Sequence, residues 1–371
     1  MTELRCILRR SSSIIIVFFL FVGSIIIAAC GSGQKNSDKL LDQDELRSKE
    51  LSNILRKTKK MPYLKSLIIV KNEEWIVEKY MNGGSPDQFY DLRSASKSIL
   101  SAILGIAIKD GYLDSIDQKV MDFFPEYITD DLDPRVYDLR IRHLITMKSG
   151  FKVKENAKAY QQLHKSSDWI NHILHLPFAT NPGEKFNYHS FNTHLLSATI
   201  TKATGMSTLE YATQVLFSPL GVTKVLWKKD PKGYYIGGWG MSLKAQDMTR
   251  IGLLYLNDGK FKETQVVPSE WVKSSTTERT GMIGTYYSGW NKTYGYGFLW
   301  WVKKIDGKID IPFALGHGGQ RIAFMPKVKA VMVTQADPKV KPSTSHKQHR
   351  AVDSLLFDDF AAYLLKYHGT L

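Results

Sequence analysis

The chain has 371 residues, of which 43% are hydrophobic and 23% are charged; this composition is ordinary for a globular protein and excludes a disordered or fibrous one. Lysine and arginine total 50 against 36 acidic residues; the net charge of +14 favours contact with anionic lipids or polymers or, as the alternative, serves solubility alone. The sequence contains two cysteines, Cys6 and Cys30, which are too few for a framework of disulfides.

The first thirty residues have the pattern of an export signal. A basic segment ends at Arg10, an apolar stretch covers residues 14–27, and the small residues Ala28 and Ala29 precede Cys30. A basic head, an apolar centre and small residues before a cleavage site are typical of a secretory signal peptide. The alternative is an uncleaved membrane helix, but the apolar stretch is short for one, and glycine and serine follow it.

Residues 27–30, Ile-Ala-Ala-Cys, resemble the lipobox of bacterial lipoproteins. In that family of signals the cysteine is acylated and becomes the mature N-terminus. The resemblance therefore implies a lipoprotein signal peptide at 1–29, lipidation of Cys30 and a membrane tether at 30–45. We expect an exported, membrane-anchored protein that does not meet nucleic acid. Because Gly31 is not the aspartate linked to inner-membrane retention, we expect the outer membrane where the source has one.

The mature chain begins with a helical pattern and then changes to strand patterns. Apolar residues at helical spacing predict a helix over 41–60, and the runs 67–70 and 75–80 predict a β-hairpin. A long apolar helix follows, which begins near Ser94 and ends at Gly111, a typical stop signal.

The second half of the chain predicts helices first and strands afterwards. Residues from about 112 to 290 are punctuated by prolines and predict mostly helix and loop. Strand patterns return at 297–302, 321–325 and 330–334, and a closing helix is predicted over 352–367. We therefore predict an α+β fold: one antiparallel sheet built from both chain ends, flanked by helices, with a mostly helical region inserted.

The start of the helix near Ser94 carries a candidate nucleophile. Lys97 follows Ser94 by three residues, and residues three apart share a helix face. A serine hydroxyl is a weak nucleophile until a base removes its proton, and a lysine whose pKa is lowered can be that base. The same spacing begins at Ser32, in the predicted tether, and at Ser149, in a predicted loop. The alternative is an N-capping serine beside a surface lysine.

Other segments occur in a definite order after this motif, and all of them together resemble the serine β-lactamase and penicillin-binding protein superfamily. The likeness is to its class C-like branch of esterases, D-aminopeptidases and 6-aminohexanoate-dimer hydrolase. It covers residues from about 60 to 365 and implies a β-lactamase/transpeptidase-like domain at 46–371. The further segments that carry it are 141–150, 182–190, 237–247 and 316–320.

The resemblance assigns a role to each matching residue. Ser94 matches the nucleophile, Lys97 the lysine of the first motif, and Tyr188 the tyrosine that shares base and acid work with that lysine. The oxyanion hole would be formed by the backbone amides of Ser94 and Gln320. Because a normal tyrosine pKa near 10 is too high for a base, Tyr188 must sit beside cations, Lys97 first. The place of the third motif is taken by His317, Gly318 and Gly319.

Two departures bear on the substrate. Ser190 stands where β-lactamases have asparagine, with Asn192 nearby but off register, and His317 stands where they have lysine. That lysine would place a permanent positive charge beside the antibiotic's carboxylate, whereas histidine is mostly neutral near pH 7. His317 would instead bond the Tyr188 hydroxyl, line the substrate pocket or serve a structural role on its strand.

The departures favour cleavage of an ester or amide bond over that of a β-lactam. Together with the lipobox-like residues, they lead us to expect a lipid-anchored hydrolase that acts through an acyl-enzyme on Ser94. A β-lactamase or D,D-carboxypeptidase is the first alternative, and a non-catalytic binding lipoprotein is the second. His172 and His175 could share a helix face, but no third ligand accompanies them, so no metal is expected. The expected partners are a small ester, amide or peptide substrate and the membrane, with no cofactor.

Overall fold

The structure is a computed structural model that describes residues 31–281 and 294–368, with side chains from residue 44 onward apart from Pro342. The predicted signal peptide and Cys30 lie outside the described residues. The chain divides into two units, residues 1–50 and 51–371. The residues of the predicted tether that the structure describes are helical from Gly31 onward. In the described part of the chain, no helix has the length and apolar character needed to cross a bilayer.

The helices of the described residues lie mainly between the early and the late strands. They are α1 (Gly31–Lys57), α2 (Ser96–Lys109), α3 (Ile141–Ile145), α4 (Ala157–Lys165), α5 (Trp169–Leu174), α6 (Ser190–Thr204), α7 (Thr208–Ala212), α8 (Ala245–Leu256), α9 (Ser269–Thr276), α10 (Pro342–Asp353) and α11 (Ala361–His368). A π-helical stretch over Ser354–Phe360 joins α10 to α11. The closing helical stretch therefore begins at Pro342, well before the predicted start at 352, because proline fits the first turn of a helix.

The strands fall into one large sheet and two small ones. They are β1 (Leu64–Lys71), β2 (Glu74–Tyr80), β3 (Tyr90–Asp91), β4 (Leu226–Trp227), β5 (Met241–Leu243), β6 (Lys260–Phe261), β7 (Thr264–Gln265), β8 (Tyr294–Tyr296), β9 (Trp301–Ile305), β10 (Ile309–Gly316), β11 (Gln320–Met325) and β12 (Ala330–Ala336). Across the described residues the large sheet has seven strands in the order β2-β1-β12-β11-β10-β9-β8, all antiparallel.

The pairing of β1 with β12 joins the two ends of the chain, with Ile68 opposite Val333. This confirms the predicted α+β fold, in which early and late strands share one antiparallel sheet. The predicted hairpin is also confirmed, since β1 and β2 are linked by a tight turn at Asn72 and Glu73. Between β2 and β8 the described chain is mainly helix and loop, as expected of the insert.

Both faces of the sheet are covered, so β1, β11 and β12 are buried along almost their whole length rather than at every second residue. Helix α8 packs on one face, where a Cβ added at Gly252 would lie only 2.5 Å from Val331. On the other face Phe357 packs edge-on against Phe313, at 5.0 Å between ring centroids. The sheet is thus the middle layer of three, and it holds the ends of β10 and β11 in place.

The predicted strand at 297–302 is wrong over its first four residues and correct at 301–302, which begin β9. A bend over 297–300 separates β8 from β9, and Leu299 takes a left-handed φ of +64°. The backbone groups of Leu299 bond to neighbouring helices, since its N–H donates to the Ile145 carbonyl and its carbonyl accepts from Ser98. The aromatic residues there satisfied a strand pattern, but Gly297 lies against the Ser275 carbonyl, where a Cβ would collide at 2.2 Å.

Candidate active site

Ser94 lies in a short 3₁₀ turn that leads directly into α2. The backbone before it is fixed on both sides: the Leu92 N–H donates to the Met241 carbonyl at 2.8 Å, and the Arg93 N–H donates to an Asp91 carboxylate oxygen at 2.8 Å. Arg93 takes a left-handed φ of +51°, a conformation that non-glycine residues hold only when their surroundings impose it. Ser94 is therefore presented, half-buried, at the N-terminal end of an otherwise buried helix.

Lys97 is the most constrained cation of the site. Its side chain is almost wholly buried, and its ammonium donates to three oxygens at 2.9 Å: the hydroxyls of Ser94 and Ser190 and the carbonyl of Gly238. Burial lowers the pKa of Lys97 to about 8, and the nearby charge of Glu155 opposes that shift. The structure thus brings the predicted nucleophile and its predicted base into direct contact.

Tyr188 lies beside the same ammonium. The Nζ of Lys97 is 5.2 Å from the centroid of the Tyr188 ring, within the range of a cation–π contact. The ring also packs against Trp301 at 5.4 Å and Tyr296 at 6.0 Å between centroids. The sequence analysis required a cation next to Tyr188. Tyr296, at the end of β8, and Trp301, at the start of β9, pack against the Tyr188 ring, and Lys97 is the cation beside it.

Ser190 and Asn192, the two residues compared at the end of the second motif, point to different surroundings. Ser190 begins α6 and its hydroxyl accepts a hydrogen bond from Lys97. Asn192 points elsewhere, and its amide contacts the sulfur of Met147 at 3.5 Å. Ser190 therefore occupies the position next to the lysine, and the off-register asparagine does not replace it.

Sequence reasoning missed Glu155 and Tyr160, which complete the network around Lys97. The Glu155 carboxylate accepts from the backbone N–H of Ser190 at 3.0 Å and from its hydroxyl at 2.8 Å. The Tyr160 hydroxyl bonds to Glu155 and lies 2.9 Å from the Ser190 hydroxyl. Glu155 sits in a charged loop with no periodic pattern, and Tyr160 reads as one aromatic residue of a short helix, so neither carried a usable signal.

The third motif forms the turn between β10 and β11. Gly318 and Gly319 adopt φ of +86° and +103°, which glycine tolerates best. The preceding Gly316 lies against the nucleophile turn, where an added Cβ would be 2.0 Å from the Leu92 carbonyl. The predicted oxyanion-hole residues, Ser94 and Gln320, thus lie on adjoining segments, and their joint role stays a prediction.

The side chains around this turn hold it from behind. Gln320 is buried and bonds the backbone of Ala336 through both its amide nitrogen and its oxygen. His317 places its Nδ1 3.2 Å from the Ser345 hydroxyl of α10, and burial lowers its pKa below the usual 6.5. His317 is therefore largely neutral at pH 7, and its ring is oriented by the C-terminal helix.

A buried arginine joins the turn to α10. The guanidinium of Arg321 forms a salt bridge with Asp353 at 2.7 Å and contacts Nδ1 of His349 at 2.9 Å. It also donates to the Gln320 carbonyl at 2.9 Å. The His349 Nε2 accepts from the Gly318 N–H at 3.2 Å, and burial, with Arg321 nearby, lowers the pKa of His349 well below 6.5. A neutral histidine is thus an acceptor for the turn's backbone.

The other predicted candidates lie apart from this chemistry. Ser149 bonds Nε2 of His189 at 3.3 Å rather than a lysine, and Lys152 is exposed. His175 lies 3.6 Å from Asp131, and no cluster of three metal-binding side chains occurs within residues 31–281 and 294–368. The side chain of Ser32 is not among those described.

Comparison with known proteins places the chain in a family. The model of the family described as Beta-lactamase matches residues 65–352. A 6-aminohexanoate-dimer hydrolase of Paenarthrobacter ureafaciens is 25% identical over 313 residues, which cover 79% of this chain and 77% of that protein.

Solved structures of similar fold include a putative 6-aminohexanoate-dimer hydrolase from Bacillus anthracis, with a TM-score of 0.68 and 19% identity over 83% of this chain and 80% of that one. A putative beta-lactamase from Bacteroides dorei has a TM-score of 0.70 and 19% identity over 85% of this chain and 98% of that one. The chain therefore belongs to the beta-lactamase family and is a serine hydrolase of that family.

Proposed function

We propose that the protein hydrolyses an ester or amide bond through an acyl-enzyme on Ser94, in the manner of an esterase or amidase rather than of an antibiotic-degrading enzyme. The observation that carries the proposal is the buried Lys97, whose ammonium contacts the Ser94 hydroxyl at 2.9 Å and whose pKa burial lowers to about 8. A lysine with that pKa is partly neutral near pH 7 to 8, so it can accept the serine proton.

The reaction divides into two steps. The Ser94 oxygen attacks the substrate carbonyl while its proton passes to Lys97, and two backbone amides, those of Ser94 and Gln320, stabilise the oxyanion. Tyr188, whose ring lies beside Lys97, passes its hydroxyl proton to the leaving alcohol or amine and takes up the proton held by Lys97, so both groups return to their starting protonation states. Water then attacks the acyl-enzyme with the same groups acting as base, and the acid is released with Ser94 regenerated.

The third motif supports an ester or amide substrate over a β-lactam. His317 is largely neutral at pH 7, because burial lowers its pKa, so it lacks the permanent charge that would bind an antibiotic's carboxylate. The 6-aminohexanoate-dimer hydrolase among the relatives agrees with an amide substrate. A purely binding role would not need Lys97 buried against a serine hydroxyl, since burial of a charge is costly without a purpose.

The substrate class is tested with the full chain in detergent. Turnover is measured for p-nitrophenyl esters, D-amino acid amides, 6-aminohexanoate dimer and a chromogenic cephalosporin, in the wild type and in Ser94→Ala. We expect ester or amide turnover that Ser94→Ala reduces by at least about a thousandfold. Ser149→Ala, the serine of the third Ser-x-x-Lys spacing along the chain, is the matched control and should stay within about threefold of wild type. Preferred turnover of the cephalosporin would overturn the proposal.

We also propose that Cys30 is acylated and anchors the protein, because the lipobox-like residues 27–30 follow a basic and apolar leader. Multiple acyl chains give stable anchoring. Metabolic labelling with an alkyne fatty acid tests this: the wild type should carry the label and fractionate with membranes, and Cys30→Ser should lose the label. Cys6→Ser is the control. A wild-type protein without label would refute the anchor.

A further inference from the structure

A cavity of about 440 Å³ opens beside the second motif and has no role in the chemistry above. Its wall is formed by the loop after α3 and by the segment before Tyr188; the lining includes Phe151, Phe186 and Asn187 and three lysines, Lys152, Lys154 and Lys185. The volume is that of a small-ligand pocket, for which the usual range is about 300–1,000 Å³. The cavity therefore has the size and the apolar body of a binding site.

The charge of the lining is of one sign. Lys152, Lys154 and Lys185 are all exposed, and none of them forms an ion pair with a carboxylate of residues 44–281 or 294–368. The two nearest acidic residues in sequence direct their carboxylates at other partners, since Glu155 bonds Ser190 and Glu184 bonds Asn181. Three exposed ammonium groups around one concavity attract an anion and raise its local concentration.

The cavity is tied to the catalytic centre. The Asn187 side chain, in the wall, donates to the carbonyls of Phe151 and Val153, which fixes the loop that carries Lys152 and Lys154. The same loop continues to Glu155, which binds Ser190 beside Lys97. Asn187, in the cavity wall, and Ser190, which contacts Lys97, are three residues apart along the chain, so their Cα atoms are at most about 11 Å apart. This bounds the distance between the cavity wall and the Lys97 network.

From these observations we infer that the cavity is a substrate subsite for an anionic group, and that the preferred substrates are esters or amides that carry a carboxylate or similar anion a few atoms from the scissile bond. The inference rests on the proposed function and names its substrate class. Phe186 would contact the linker, and the three lysines would hold the anion at the exposed mouth. The attraction should weaken with salt, because the lysines are exposed.

Matched ester pairs test this with the full chain. One pair is mono-p-nitrophenyl glutarate and p-nitrophenyl butyrate, with the charge on the acyl side; the other is 4-carboxyphenyl butyrate and 4-carbamoylphenyl butyrate, with the charge on the leaving group. We expect the wild type to prefer the anionic member of at least one pair. The triple variant Lys152→Gln, Lys154→Gln, Lys185→Gln should lose about tenfold in kcat/KM for that member, mainly through KM. Its kcat/KM for the neutral member should change less than twofold.

A control variant separates the cavity from the bulk charge of the protein. Lys260→Gln, Lys262→Gln, Lys327→Gln removes the same charge from three exposed lysines outside the cavity. It should leave the anionic preference intact. Equal losses in the two triple variants, or equal losses for charged and neutral esters, would overturn the subsite.

Binding without turnover distinguishes this inference from the proposed function. In the Ser94→Ala background, calorimetry measures the affinity for glutaryl-p-nitroanilide and for neutral butyryl-p-nitroanilide. Tighter binding of the glutaryl compound, lost in the cavity variant, would support the subsite even if the wild type cleaved none of the esters. Wild-type turnover of neutral esters with no lysine-dependent binding would instead overturn the subsite and leave the proposed function standing.

Discussion

The nucleophile turn and the third-motif turn meet across the site, yet they are built in different ways. The Lys97 ammonium donates to three oxygens of the sequence motifs: the hydroxyls of Ser94 and Ser190 and the carbonyl of Gly238. The turn at His317 is held by groups that belong to no motif, chiefly Arg321 and the side chains of α10. The reacting groups thus form a chemically specialised cluster, whereas the turn at His317 depends on ordinary structural contacts.

The difference predicts that variants of the two regions fail in different ways. A change at Lys97 should remove activity and leave the fold stable, because a buried charge contributes little net stability. A change behind the third motif should reduce stability first and activity as a consequence.

The largest expected effect follows Lys97→Met. The base is removed while the hydrophobic volume is kept, so kcat should fall by about 10³- to 10⁴-fold and the melting temperature should not decrease. Steady-state kinetics and calorimetry on the same preparation measure both. Lys109→Met, at the exposed end of α2, is the matched control and should keep full activity. A fall in melting temperature of many degrees would contradict the comparison.

Arg321→Lys should have the opposite signature. The substitution keeps the charge but loses the fork that contacts Asp353, His349 and the Gln320 carbonyl together, so we expect a loss of about 3 kcal/mol in the free energy of unfolding. The remaining folded protein should lose about tenfold in kcat as the turn loosens. Denaturant unfolding and kinetics at 15 °C check the two effects. A variant with wild-type stability and little activity would show that the turn is catalytic rather than structural.

The pH dependence of stability reports on His189, a buried neighbour of Lys97. Burial, with the Lys97 charge second, lowers the pKa of His189 from 6.5 to about 3. Below pH 6.5 the unfolded chain binds a proton that the folded protein does not, so stability present above pH 6.5 is lost as the pH falls towards 3. Between pH 7 and pH 5 this amounts to about 2 kcal/mol.

His189→Gln should remove that part of the slope. The free energy of unfolding is measured at pH 7 and pH 5 for both proteins, and the difference between the two pH values should be smaller in the variant. An unchanged slope would mean that His189 is protonated in the folded state and would contradict the lowering of its pKa by burial.

The smallest effect is expected for Glu155→Gln. The Glu155 charge raises the pKa of Lys97 against the stronger effect of burial, so its removal lowers that pKa further. Because the neutral lysine is the base, the acid limb of the pH–kcat profile should move to lower pH, and kcat should decrease about tenfold from the lost bonds to Ser190. Glu184→Gln, on the other loop, should leave the profile unchanged. An acid limb displaced to higher pH would show that Glu155 does not raise the pKa of Lys97.

The sequence predicted the parts of this molecule that local pattern controls. The hairpin of β1 and β2, the apolar helix after Ser94 and the shared sheet follow from periodicity and order, and the structure confirms them. The catalytic candidates Ser94, Lys97 and Tyr188 could be named because the ordered motifs that contain them resemble those of a known family.

What the sequence could not predict depends on contacts between distant segments. Glu155 and Tyr160 come into contact with Ser190 only once the segment after α3 has folded. Arg321 of β11 contacts Asp353 of α10 only once that helix has packed against the sheet. The bend at Leu299 was read as strand because its bonds to Ile145 and Ser98 are not visible in the sequence. Propensity describes neighbours along the chain, and these residues are controlled by neighbours in space.

The central claim is that Ser94 is a nucleophile activated by Lys97. The most direct test is the intact mass of the full chain after treatment with a fluorophosphonate probe, for the wild type, Ser94→Ala and Lys97→Met in parallel. The account predicts one adduct on the wild type, none on Ser94→Ala and greatly slowed labelling of Lys97→Met. Equal labelling of the wild type and Ser94→Ala, or no labelling of a wild type that turns over esters, would contradict it.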